Sequence, residues 1–118
     1  MKELKDFLKQ KEQECYELIA STSEWLRKWQ DDKEEFLLHW LGDDKDAEVK
    51  EKGFDKAVSD LLKDVMMMNL KAKAELKVID GIENGKIHLE DHHPMLRVFY
   101  YEDLVNQKAL EMAKAEVE

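Results

Sequence analysis

The stretch from His88 to Met95, HLEDHHPM, holds three of the four histidines in this chain, with Glu90 and Asp91 among them. Imidazole and carboxylate together are a donor set for a divalent metal. His88 and His92 are four residues apart, which puts them on one side of a helix or a strand, and in a strand Glu90 joins them. A zinc site, however, normally draws ligands from separated segments, and the remaining histidine, His39, lies far away in a helical region. A di-iron bundle would need Glu-x-x-His on two helices, and only Glu90 to His93 has that spacing. The same residues also fit a boundary between elements. Asp91 is a preferred N-cap, and Pro94 suits the first turn of a helix while disfavouring helix at His93. The boundary is the stronger reading, and no cofactor is expected.

Covalent catalysis has few candidates. Ser21, Thr22 and Ser23 sit together where a cap or bend would use them, and Ser59 stands apart. Cys15 falls on an apolar stripe between Leu8 and Leu18, so a buried small hydrophobe is expected rather than a thiolate. Neither a nucleophile elbow nor a phosphate-cradling glycine loop occurs. An enzyme is not expected, and a metal-dependent one using His88 and His92 is the weakest of the readings.

The charge pattern narrows the partners. Asp and Glu number 28 against 19 Lys and Arg, a net charge of −9. The one basic block, residues 56–79, has five lysines against three acids and is also strongly apolar, so it flanks a core rather than grips phosphates. Carboxylate pairs at Asp31-Asp32, Glu34-Glu35 and Asp43-Asp44 raise the alternative of an acidic nucleic-acid mimic, but interleaved lysines break up the continuous negative field it would need. Direct nucleic-acid binding is not expected. With one cysteine, no secretory apolar run and no stretch of about 20 apolar residues, a cytoplasmic protein that does not enter membranes is expected.

Four Gly and one Pro leave little turn material among abundant helix formers. A 3.6-residue step from Leu4 meets Leu8, Cys15, Leu18, Trp25, Trp29, Phe36 and Trp40, predicting one helix over about 3–41. Ser21 with Glu24 makes a capping box that would bend it or divide it into 3–20 and 23–41. GDDKDAEVKEKG, residues 42–53, reads as a solvated connection in which Asp46 caps a short helical start. From Phe54 the step meets Val58, Leu61, Val65, Met68, Ala72, Leu76 and Ile79 without a miss, predicting a helix over about 53–79. Because VMMMNL is apolar nearly all round, that helix should be covered on more than one side.

Asn84-Gly85 is a strong hairpin signal, and alternating residues on either side of it predict a small β-hairpin near residues 78–90. Residues 95–101 are open between strand and helix, and from about Glu102 the chain reads as a helix with Leu110, Ala113 and Val117 on one face. The expected fold is mainly α: a long antiparallel helical hairpin plus a C-terminal helix, a three- to four-helix bundle in a single domain over 1–118.

Helices of about 38 and 27 residues would be roughly 57 and 40 Å long, too long to bury their stripes in one compact monomer. The surplus should meet another chain, with Trp25, Trp29, Trp40, Met66 and Met67 divided between core and interface. The expectation is a non-catalytic protein-binding module, a small acidic regulator, inhibitor or immunity or anti-defence type factor. A homo-oligomeric, self-assembling structural subunit is the alternative, so the partner is another protein, itself, or both.

Overall fold

The computed structural model describes residues 2–117 and the side chains of residues 3–115. The chain is mainly helical. In order come α1 (Lys2–Lys28), α2 (Lys33–Leu41), a 3-10 turn (Gly42–Asp44), α3 (Lys45–Lys52), α4 (Phe54–Glu83), a second 3-10 turn (Leu89–Asp91) and α5 (Pro94–Val117). Two compact units share these elements: residues up to Ile19 with those from Leu70 onward, and Ala20–Asn69. Among the described residues no helix is long and apolar enough to cross a membrane.

In the Ala20–Asn69 unit, the first helix does not reach residue 41. It passes through Ser21 and stops at Lys28, and a turn leads to Asp32, whose side chain accepts a hydrogen bond from the Glu35 backbone N–H at 3.0 Å. Asp32 is therefore the N-cap of α2, with Glu34 and Glu35 in a first turn where acids suit the helix dipole. The capping box at Ser21 does not divide the helix, for a tertiary reason. Thr22 is fully buried and its hydroxyl accepts from Asn69 Nδ2 at 2.9 Å, while Ser23 Oγ accepts from the same amide at 3.0 Å. Occupied in this way, the two hydroxyls take up a partner on α4 and leave the helix unbroken.

The core of this unit is Trp25, Phe36, Leu37, Ala57, Val58, Leu61 and Val65, with Trp29, Trp40, Leu41 and Phe54 packed at its edge. Phe36 and Leu37 are adjacent, so α2 buries a face set by its own cap rather than by the phase of α1. The Asp46 cap is not present. α3 begins at Lys45 directly after a 3-10 turn, and Asp46 lies inside its first turn. Ion pairs tie the short helices in place: Lys45 meets Glu34, and Lys52 bridges Glu48 at 2.9 Å and Asp60 at 3.2 Å.

In the other unit, the expected β-hairpin is replaced by helix. α4 continues to Glu83, so Val78, Ile79 and Ile82 extend its apolar stripe by another turn and are buried beside Leu8, Leu89, Tyr101 and Val105. Asn84-Gly85 closes a helix instead of a hairpin. Gly85 has φ +76°, its N–H bonds Ile82 O at 3.2 Å, and Lys86 N–H bonds Gly81 O at 2.9 Å. Those two bonds are the Schellman pattern, which uses the same left-handed residue that a hairpin turn would. Ile87 then folds back over Gly81, where an added Cβ would lie 2.8 Å from Ile87 Cδ1.

The last element begins earlier than Glu102. Residues 95–101 are helical, with Pro94 in the first turn as expected. Asp91 does not cap it, because it belongs to the 3-10 turn. His93 takes that place, its Nδ1 accepting the Met95 N–H at 3.2 Å. Leu110 is exposed, Ala113 half-buried, and the side chain of Val117 lies outside the described residues.

Two stability outcomes follow from these packing details. Gly85→Ala forces a Cβ into the left-handed region and should lower unfolding free energy by about 1–2 kcal/mol in urea titration. Phe36→Ala, at a fully buried site, should cost about 3–5 kcal/mol by the same measurement.

Candidate docking surface

α5 is oriented by contacts from its own first turns. Arg97 reaches back from its first turn, donating from Nε to His92 O at 3.0 Å and from its terminal nitrogen to Glu90 O at 3.2 Å. The His92 ring lies against Tyr100, 4.0 Å between centroids. Tyr101 is buried edge-on to Phe7 at 5.5 Å, and Val105, one turn on, is buried with it. With that face turned inward, Met95, Leu96, Val98 and Phe99 are turned outward, Met95 77% and Phe99 66% exposed. Four large apolar side chains within five residues make a contiguous exposed patch, the kind of surface that marks an interaction site.

Sequence periodicity missed this patch because residues 95–101 are apolar on every side. The usable signal was Tyr101, Leu104 and Val105 at helical spacing with Arg97 and Lys108. Taken as the inner face, they leave Met95, Leu96 and Phe99 opposite.

The five residues expected to divide between core and interface lie in the Ala20–Asn69 unit and fall into two groups. Trp25 is only 7% exposed, packed on Phe36 at 5.8 Å and His39 at 5.1 Å, with Lys28 Nζ 4.2 Å above its ring. Trp29 and Trp40 are half-buried at the edge of the same cluster, and the Trp40 Nε1 is buried without a hydrogen-bond partner. Met66 and Met67 are both 54% exposed on α4, so VMMMNL is not covered all round.

The candidate metal ligands do not converge. His88 Nδ1 is 3.3 Å from Glu90 Oε1, whereas the His92 ring packs on Tyr100 and His93 caps α5. The Glu90 backbone N–H, followed by the His88 imidazole, holds the Glu90 carboxyl below the usual carboxylate range. Among the described residues no group of three His, Cys, Asp or Glu side chains is placed to hold a metal ion.

One polar cluster is buried in the first unit. Cys15 Sγ donates to Glu75 Oε2 at 2.9 Å, and burial, then that carboxylate, push the thiol up to about 12. Nearby, the Tyr101 hydroxyl makes no hydrogen bond of ordinary geometry, and burial followed by the charge of Glu75 holds it well above the usual phenol range. This arrangement keeps sulfur protonated and is poorly suited to nucleophilic attack. A groove of about 440 Å³ in the same unit has Leu4, Leu8 and Ile82 as its floor and Lys5, Glu83 and Glu90 at its rim.

Comparison with family models, curated proteins and solved structures finds no match to this chain.

The thiol geometry has a direct chemical consequence. With its acidity moved from 9.0 to about 12, the folded-state thiolate near pH 8 is on the order of a thousandfold scarcer than in the unfolded chain. Cys15 should therefore resist iodoacetamide in native buffer and react promptly in guanidinium, as mass spectrometry would read. By the same linkage, the contribution of this group to stability is present below pH 9 and declines as pH rises from 9 towards 12.

Proposed function

We propose that the chain is a non-catalytic protein-docking module, a small acidic regulator or inhibitor that works by seating another polypeptide on a helical apolar surface. The observation that carries this reading is the outward patch of Met95, Leu96, Val98 and Phe99 on α5. Leaving four such side chains in water is costly: each fully covered large apolar group contributes about 1.5–3 kcal/mol. A partner that covers them recovers much of that free energy. Glu102 and Asp103 follow the patch and Glu90 and Asp91 precede it, so its rim is acidic and unsuited to a phosphate backbone. Met66 and Met67 offer a second, adaptable surface on α4.

In this reading α1 and α4 run antiparallel within each unit as the arms of a helical hairpin. Support comes from the order of their contacts: Leu8 clusters with Val78, Ile79 and Ile82, Cys15 meets Glu75, and Thr22 and Ser23 meet Asn69. Such a frame would hold α5 rigid before a partner arrives, sparing the ordering cost of binding. A cytosolic setting fits the single protonated cysteine.

Immobilised wild-type chain should retain a polypeptide partner from host extract, and Phe99→Glu should reduce that retention at least tenfold while the circular dichroism spectrum is unchanged. Equal retention by Phe99→Glu and by Leu96→Glu would overturn the docking reading.

A further inference from the structure

The outer face of α5 carries a pattern longer than the apolar patch. Leu96, Phe99, Asp103, Asn106, Leu110 and Ala113 follow one another at spacings of three and four, the a and d positions of a heptad. The first five are exposed and Ala113 is half-buried, so the stripe is accessible along its length. Its order is apolar, polar, apolar, with Asp103 and Asn106 in the middle.

That order reads the same from either end, and this points to what covers it. We propose, building on the docking reading above, that the occupant of this face is a second copy of the chain, with the two α5 helices antiparallel about a two-fold axis between Asp103 and Asn106. In that register Phe99 faces Leu110 of the second copy, Leu96 faces Ala113, and Asp103 faces Asn106. A two-fold contact makes each pairing twice. The Asn106 amide donates to the Asp103 carboxylate, so neither polar group is buried unpaired, and the polar layer selects one register. By the two-fold, the Asp103 carboxylate of each copy thus gains a donor.

A parallel pair is excluded by the same residues. It would set Asp103 against Asp103 and Asn106 against Asn106, bringing like charges together at the centre of the seam. The acidic centre also argues against an unrelated apolar helix, which would bury Asp103 without a donor.

The pairing is tested by sedimentation velocity of the full chain over a concentration series, with helicity followed by circular dichroism. A two-helix seam belongs to the small, transient class of interface, below about 1,200 Å² in total, so a weak and concentration-dependent dimer is expected. Leu110→Glu should weaken it at least tenfold. The register is tested by charge at one exposed position. Asn106→Lys puts an ammonium opposite Asp103 and should tighten the dimer, whereas Asn106→Asp puts acid opposite acid and should weaken it.

A monomer at every concentration would overturn the inference, as would a dimer weakened by both Asn106→Lys and Asn106→Asp, the result for a seam in which Asn106 faces itself. The docking reading is judged separately. A monomer that still loses a captured protein on Phe99→Glu removes self-pairing and leaves docking standing. A dimer that tightens with Asn106→Lys while capture ignores Phe99→Glu does the reverse.

Discussion

The positive φ at Gly85 is the constraint on which the C-terminal part of the molecule depends. Helix α4 would otherwise have no reason to stop where it does, since Lys86 and Ile87 carry no breaker of their own. Once the chain turns there, the carbonyl of Gly81 takes the amides of both Lys86 and Ile87. The Ile87 side chain is drawn down over Gly81, and Leu89 drops into the core. Only then can Arg97 gather the carbonyls of the second 3-10 turn and hold α5 with Tyr101 inward.

Periodicity was a sound guide wherever one helix ran uninterrupted. From Phe54 to Ile79 the stepped positions are all buried or half-buried. It failed where termination is decided by a few local bonds. Trp25 and Trp29 keep the stripe in phase to just past the end of α1, and Phe36 happens to continue it, so the gap at Asp32 leaves no trace in the pattern. The Asn84-Gly85 pair reads as a hairpin signal, but its conformation serves a hairpin and a helix stop alike. What separates the two is whether the preceding residues pair with a strand or continue burying every third or fourth side chain, and Ile82 answers that only when Leu8 and Tyr101 are seen beside it.

Exposed apolar area is legible in kind but not in place. Surplus apolar area is expected on Trp25, Trp29, Trp40, Met66 and Met67, yet Trp25 is enclosed because the break at Asp32 lets α2 fold back onto it. The exposed area includes Met66 and Met67 and, beyond the five, the start of α5. That last segment defeated a helical wheel because its inner face is built largely from tyrosines and an arginine, residues whose polar ends disguise how deeply their bodies are packed. The histidine cluster was a boundary, as the proline implied, but the cap was an imidazole nitrogen rather than a carboxylate.

Asn69 has a mechanical meaning beyond the two hydroxyls it satisfies. Its amide donates to Thr22 and Ser23, and one turn away on α1 in either direction, at Leu18-Ile19 and Leu26-Arg27, no such pair of hydroxyls recurs. If α4 slid along its neighbour by one turn, about 5.4 Å, aliphatic contacts would re-form almost unchanged while the amide met Leu26 or Leu18. Greasy surfaces of this sort tolerate many alignments, and a lone carboxamide acts as the detent that leaves the lower-energy seat unambiguous.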